Sequence, residues 1–373
     1  MRLGLFMMPL HPPERAMGEM LAEDTEKSLL ADRLGFEELW VGEHFSATSE
    51  PIASPLMFMA GLAPRTKLIF ATGVINLPNH HPAKVAAEVA QFDHMTEGRF
   101  ILGIGPGGLP SDWELFGNTD AMQRGKRMLE AADMMLAIWR QDPPYDITGP
   151  TWTAHISKAV IPEFGIGTMP KPWQRPHPPI AITARAADSF GVRMAVERGW
   201  GVVSANFVAE RVVEAHGRTL REAREATGRA TADTTWRVAR NFCIAGTDAE
   251  ARARVFDDAS ANRYYFHYLS TLARRGGQLA TLKPDLATPD EAVTLEQIIA
   301  DCVIAGSPAT VLDRLVALRE RAGAFDHVLM AGLDWSGPNA AWEQETMHRL
   351  AEEVMPRLRQ HIAATEGGAS VSA

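Results

Sequence analysis

The chain has 373 residues, 46% of them hydrophobic and 22% charged, the balance of a globular protein able to bury a large core rather than of a disordered one. A formal charge of −9, with lysines and arginines dispersed rather than run together, offers no basic face for nucleic acid. The two cysteines, Cys243 and Cys302, are too few for a disulfide framework and lack zinc-site spacing, so they read as buried thiols in a reducing, cytoplasmic compartment.

Along the chain, the apolar run at 3–7 is too short for a signal-peptide core and closes at Pro9, which makes it a first strand. No stretch reaches the roughly 18 uncharged apolar residues of a membrane span. Further strands are expected at 39–42, 68–75, 100–105, 180–183, 201–204, 238–245 and 327–332, mostly continuous apolar runs suited to strands covered on both faces. The segments between them have helical periodicity. Ser54-Pro55, His81-Pro82 and Ser307-Pro308 open helices with proline in the first turn, and Gly35, Gly98 and Gly199 close helices with left-handed caps. Eight strands alternating with helices match an α/β fold, a (β/α)₈ TIM barrel with insertions, although an open doubly wound sheet uses the same units. The expected organisation is one barrel domain over residues 1–365 and a flexible C-terminal tail over 366–373.

Two regions break the rhythm. Residues 141–179 are rich in proline, glycine and tryptophan, and so long a connection in a compact domain reads as a lid or pocket wall. Residues 248–304 read as mainly helical, with Tyr264, Tyr265, Phe266 and Tyr268 either packing an extra helix pair or lining a pocket.

The candidate site residues follow strands, where a barrel gathers its chemistry. Glu43-His44 comes directly after the second strand, and a histidine there can donate a hydrogen bond or shuttle a proton near neutral pH. The Asn79-His80-His81-Pro82 turn follows the third strand, and His81 reads as a helix cap or pocket-wall residue, since no metal-site spacing accompanies it. Gly73 interrupts the third strand, which marks a close approach or a bulge. Gly103-Ile104-Gly105-Pro106-Gly107-Gly108 satisfies G-x-G-x-x-G, but Leu109-Pro110-Ser111 follows at once and the motif lies at the fourth strand, not the first. Gly105, Gly107 and Gly108 are therefore read as a strand-to-loop turn where absent side chains let a flat cofactor or its phosphate approach the backbone. Asp188-Ser189 opens a helix, either as an ordinary cap or as a phosphate site to which Arg185 would add charge. No G-x-S-x-G elbow, Walker loop or EF-hand loop is present, so serine hydrolase and nucleoside triphosphatase chemistry lack support.

Several of these stretches occur in an order and spacing that resembles a known family. Leu34-Gly35-Phe36-Glu37-Glu38-Leu39-Trp40-Val41-Gly42-Glu43-His44-Phe45, then Thr72-Gly73-Val74-Ile75-Asn76-Leu77-Pro78, then Glu97-Gly98-Arg99-Phe100-Ile101-Leu102-Gly103-Ile104-Gly105 resemble the bacterial-luciferase-like flavin monooxygenases. The likeness continues through Arg127 and Glu130, Gln174-Arg175-Pro176-His177-Pro178-Pro179 and Ala351-Glu352-Glu353-Val354-Met355-Pro356, and is closest to the limonene-monooxygenase-like and diketocamphane-monooxygenase-like branch. It implies the barrel, a homodimer, and reduced FMN supplied by a separate NAD(P)H-dependent flavin reductase. With dioxygen, such an enzyme oxygenates a small, largely apolar organic substrate through a flavin hydroperoxide, by hydroxylation, epoxidation or Baeyer–Villiger reaction. A deazaflavin-dependent hydride-transfer enzyme or a non-catalytic flavin-binding protein on the same barrel are the alternatives. The resemblance assigns His44, with Glu43, to catalysis, and gives Gly73-Val74 a non-proline cis peptide under the flavin ring. Gly105 stands where luciferase has a reactive cysteine, and Pro106 where it has a phosphate-binding arginine, which leaves Arg185, Ser189 and Arg127 as the candidate phosphate ligands, with Ala184 also assigned to cofactor binding.

Overall fold

The computed structural model describes residues 1–369. Its strands are β1 (Arg2–Met7), β2 (Glu38–Val41), β3 (Ile69–Thr72), β4 (Ile75–Asn76), β5 (Phe100–Gly105), β6 (Tyr145–Thr148), β7 (Thr153–Ile156), β8 (Ile180–Ala184), β9 (Gly201–Ser204), β10 (Trp236–Ile244), β11 (Val303–Gly306) and β12 (His327–Gly332). The large sheet runs β11-β10-β12-β1-β2-β3-β5-β8-β9, with β9 also paired to β10. Eight of these strands thus close a parallel barrel with helices in the connections, the TIM-barrel class expected from the sequence. The chain divides into two compact units, Met1–Leu39 with Ile182–Ala373, and Trp40–Ala181.

In the first unit β12 lies parallel between β1, in the register Arg2↔His327 to Met7↔Gly332, and β10, in the register Arg237↔His327 to Arg240↔Met330. Alternate residues of a strand share a face, and β10 puts opposite needs on its two faces. Arg237 makes two 2.7 Å hydrogen bonds to the Glu38 carboxylate, with His327 Nε2 3.2 Å from the same group. Arg240, on the other face, donates to the carbonyls of Val208 and Asp301 at 2.6 and 2.7 Å. Burial pushes the Glu38 pKa up, but the Arg237 and His327 contacts outweigh it and hold the carboxylate well below its usual range. A second buried ionic group joins the loops after β1 and β12. His11 Nδ1 lies 2.7 Å from Asp334, Arg15 bonds Glu23 at 2.7 Å, and Lys27 sits 3.9 Å from Asp24 and 3.6 Å from Glu343. His11, Glu23 and Asp24 bring possible ligand atoms within 4.8 Å of one another, but Arg15 and Lys27 already neutralise the acids there.

The second unit pairs β3 and β4 in turn with β5, in the registers Phe70↔Phe100 and Ile75↔Ile104. The helix ends read from the sequence are present. Ser54, His81 and Ser307 each accept a hydrogen bond from a first-turn amide, and Gly35, Gly98 and Gly199 have positive φ.

The structure corrects the sequence reading at four places. The strand expected at 68–75 breaks into β3 and β4 at Gly73-Val74. Residues 141–179 contain the antiparallel β6–β7 hairpin, and they are pinned to the unit. Glu130 accepts from the amides of Thr151 and Trp152 at 2.7 and 3.0 Å, and Gln174 bonds Asp93 through its backbone and side-chain nitrogens. Residues 303–306, of which 303–304 are expected from the sequence to close the helical region, form β11 beside β10, because the short run Val-Ile-Ala-Gly pairs from Asn241↔Val303 onward. Of the tail expected at 366–373, the last helix, Met355–Ala369, takes in the residues through 369, and 370–373 lie outside the described residues. No helix among the described residues is long and apolar enough to cross a membrane.

Candidate functional site

In the second unit the loop after β2 is built by three buried carboxylates, each with a different task. Glu43 Oε1 accepts the Asn76 backbone N–H at 2.6 Å and lies 3.0 Å from His80 Nε2, while the Asn76 side chain donates back to the Glu43 carbonyl at 3.1 Å. This ties the β2 loop to β4. Asp112, at the start of the short helix Pro110–Leu115, accepts from the amides of Phe45 and Ser46 at 3.2 and 2.9 Å and from the Ser46 hydroxyl at 2.5 Å. Glu50 Oε2 stands 2.5 Å from His44 Nδ1.

That last contact decides what His44 can do. Nδ1 is occupied, so Nε2 is the ring nitrogen left unengaged by any described residue. Burial pulls the His44 pKa down, but the charge and hydrogen bond of Glu50, helped by the charges of Asp112 and Glu43, raise it above the ordinary histidine value. The result is a largely buried imidazole biased toward its protonated form. Beside it, Phe45 packs edge-on against Phe116 at 5.0 Å and tilted against His80 at 5.6 Å, an apolar wall next to a proton donor.

The glycines have specific neighbours. The Gly73–Val74 peptide is cis, and Gly73 N–H donates to the Val41 carbonyl at 2.6 Å. A Cβ on Gly103 would lie 1.8 Å from the Thr72 carbonyl oxygen, and one on Gly105 would lie 2.5 Å from Val74 Cγ2. The first two glycines of the G-x-G-x-x-G match therefore permit close approach of protein to protein, which the motif alone did not reveal. Gly107 has φ of +88° with Trp113 and Asn76 nearby, and Gly108 is half-buried in the same turn. Arg127 donates to Asn118 Oδ1, whose amide holds Pro78 O and Asn79 Oδ1, so this guanidinium braces the turn after β4.

The remaining candidates lie in the first unit. Ala184 ends β8, is buried, and its carbonyl accepts from Ala205 N–H. Ser189 caps the helix Phe190–Arg198, with Oγ accepting Val192 N–H at 3.2 Å, and the amides of Phe190 and Gly191 have no partner among the described residues. Arg185 lies 5.3 Å over the Phe207 ring and forms no ion pair with any described carboxylate. Burial lowers its pKa, against the opposing influence of Tyr265. The loop carrying it is clamped from below. Trp236 Nε1 donates to Ser204 Oγ, Ser204 meets His216 Nδ1 at 2.9 Å, and His216 Nε2 reaches the Ala186 carbonyl at 2.8 Å. A guanidinium without an ion pair and helix N-terminal amides without a partner among the described residues are each groups able to bind an anion.

A family model for luciferase-like monooxygenases matches residues 1–324. The chain belongs to that family. This luciferase-like oxidoreductase is 30% identical over 364 residues to the 4-hydroxyprotoasukamycin monooxygenase of Streptomyces nodosus subsp. asukaensis, covering 95% of this chain and 91% of that one. It is 27% identical over 364 residues to 2,5-diketocamphane 1,2-monooxygenase 1 of Pseudomonas putida, covering 96% and 99%. Among solved structures, the oxygenating constituent of 3,6-diketocamphane monooxygenase from the CAM plasmid of Pseudomonas putida, a type II Baeyer–Villiger monooxygenase in complex with FMN, superposes with a TM-score of 0.82 at 26% identity, covering 95% and 98%.

Sequence reasoning about this luciferase-like monooxygenase missed Glu50 and Asp112. Glu50 is separated from His44 by irregular chain, where no periodicity reports contact and the local signal was a carboxylate close behind a histidine, and Asp112 lies beyond β3, β4 and β5 in the sequence.

Proposed function

We propose that this luciferase-like monooxygenase is the oxygenase half of a two-component system. It takes reduced FMN from a separate NAD(P)H-dependent reductase and, with dioxygen, inserts one oxygen atom into a small, largely apolar organic molecule. The observation that carries this reading is the His44–Glu50 pair, with Nδ1 fixed and Nε2 open beside an aromatic wall. Family membership and the FMN complex of the 3,6-diketocamphane relative support the flavin. Bound, reduced FMN supplies the two electrons that take the second oxygen atom of dioxygen to water.

The chain's own residues do the rest. His44, held protonated by Glu50, donates from Nε2 to the oxygen that departs as water. Phe45 and Phe116 exclude bulk water and receive an apolar reactant. Glu43 is a positioning residue, acting through Asn76 and His80, and Arg127 acts likewise through Asn118. Gly73, Val74, Gly107 and Gly108 offer backbone to the flavin ring, with Gly105 a positioning residue that lets Val74 approach; in the first unit, after Ala184, Arg185 and Ser189 with the following amides are an anion site for a phosphate.

The test is direct. The purified protein is titrated anaerobically with reduced FMN and, separately, with a reduced deazaflavin cofactor, then supplied with a reductase and dioxygen. Tight binding of reduced FMN and product formed in proportion to dioxygen consumed, with one trial substrate of a terpenoid panel, is the expected result. Binding of the deazaflavin in preference to FMN would replace this reading with hydride transfer.

A further inference from the structure

The antiparallel pairing of β6 with β7 sets Asp146 directly opposite His155, and Ser157, two residues on, falls on the same face. Three side chains then connect in line. Asp146 Oδ1 lies 3.2 Å from His155 Nδ1, and Ser157 Oγ lies 2.9 Å from His155 Nε2. With Nδ1–H donating to the carboxylate, Nε2 is left to accept from the Ser157 hydroxyl, the order of carboxylate, base and nucleophile that hydroxyl activation needs. The strand pairing makes this arrangement without a G-x-S-x-G elbow. The amides of Ser157 and Lys158, at the hydroxyl and just after it, donate to no described residue and can serve a developing oxyanion. The face is open to reactants, since the His155 and Asp146 side chains are 51% and 81% exposed and Ser157 is exposed as well. It is held from behind. Tyr145, beside Asp146, is buried with its hydroxyl accepting the Met169 N–H at 3.0 Å, and Glu130 accepts the amides of Thr151 and Trp152 in the hairpin turn. All of these residues belong to the second unit.

We propose that Asp146, His155 and Ser157 form a second, flavin-independent site that transfers acyl groups from activated aryl esters to water, with Ser157 as nucleophile, His155 as general base and Asp146 as positioning residue. Ser157 Oγ adds to the ester carbonyl carbon as its proton passes to His155 Nε2. The bond to the leaving oxygen then breaks, that oxygen departs with the proton from Nε2, and the acyl group stays on Ser157. Water adds to the acyl carbon, again giving a proton to Nε2, and the acyl–Oγ bond breaks as that proton returns to Oγ. The exposure sets the substrate class. Water solvates the Asp146–His155 pair and weakens its support of the imidazolium, so an amide or alkyl ester, whose leaving group needs strong protonation, is not cleaved, whereas a phenol departs with little help.

The purified full-length protein, without added flavin, is given p-nitrophenyl acetate; release of p-nitrophenol is followed and acetylated residues are located by peptide mass spectrometry. The expected result is steady hydrolysis with the acetyl group found on Ser157, and a rate that falls about tenfold or more in Ser157→Ala and in His155→Gln. Asp146→Asn should lower kcat with KM nearly unchanged, and Asp146→Glu, which restores the carboxylate, should recover part of the loss. These positions are exposed, so the variants keep the fold. Hydrolysis in Ser157→Ala equal to wild type, or acetyl groups on Lys158 and other lysines but not on Ser157, would overturn the inference by assigning the reaction to amines. A wild type no faster than buffer would overturn it as well, and Asp146→Asn equal to wild type would overturn the role given to Asp146. Because no flavin is present, each outcome is independent of the proposed oxygenation.

Discussion

His44 Nδ1 and Glu50 Oε2 stand 2.5 Å apart, and this contact fixes both the tautomer and the charge of the histidine. Because the Glu50 charge raises the His44 pKa against the pull of burial, the imidazolium persists to higher pH than an isolated histidine would allow. Glu50→Gln keeps the hydrogen-bonding shape and removes the charge. The pH above which product per dioxygen declines should move lower in this variant, because the group that must be protonated then loses its proton earlier. A pH profile identical to wild type would detach Glu50 from the chemistry.

His44→Ala removes the donor along with a ring, in the loop after β2, whose side chain is 10% exposed. The variant should fold and bind FMN, and dioxygen consumption should continue with most of it appearing as hydrogen peroxide. The product-to-dioxygen ratio measures this, and an unchanged ratio would strike His44 from the mechanism.

Ser189 and Arg185 test the proposed phosphate placement. Losing one hydrogen bond to a charged group costs about 1.5–3 kcal/mol, so Ser189→Ala should weaken FMN binding about tenfold or more. Riboflavin, without the phosphate, should respond little. Equal losses for the two ligands would move the phosphate elsewhere.

Glu38 and Arg237 should matter for stability rather than turnover. Glu38 is buried and its carboxylate is paired through two 2.7 Å bonds, so Arg237→Met leaves an uncompensated buried carboxylate at a cost of about 3–5 kcal/mol. Denaturant unfolding reads this. The double variant Glu38→Gln with Arg237→Met should recover part of the loss, because no buried charge is then left alone.

His11 links stability to pH. Burial pulls its pKa down, but hydrogen bonds to Asp24 and Asp334 raise it from 6.5 to about 9. A raised folded-state pKa stabilises fully below the unfolded value and is lost as pH climbs through the folded one. The melting temperature should therefore decline between about pH 6.5 and 9, and His11→Gln should flatten that decline. A slope equal to wild type in the variant would place the dependence on other groups.

The sequence by itself determined the order of the eight barrel strands, because hydrophobic runs and their end signals are local. Ser54, His81, Ser307 and Gly199 each act within a turn of their own position, and so could be read without knowing what they pack against. The order of motifs also pointed to the family and to His44. What only the tertiary structure decided is what those residues touch. Gly105 reads, with Gly107 and Gly108, as a place where a ligand could approach the backbone, yet a side chain on it would strike Val74, as one on Gly103 would strike Thr72. Glu43 looked catalytic beside His44, yet its carboxylate is committed to Asn76 and His80, while Glu50 took the imidazole. Asn241 reads as one more residue of a strand, whereas in the fold Asn206 satisfies one end of its amide and no described residue satisfies the other. Such assignments depend on pairing across tens or hundreds of residues, and a one-dimensional pattern carries no term for which distant partner fills a donor or acceptor.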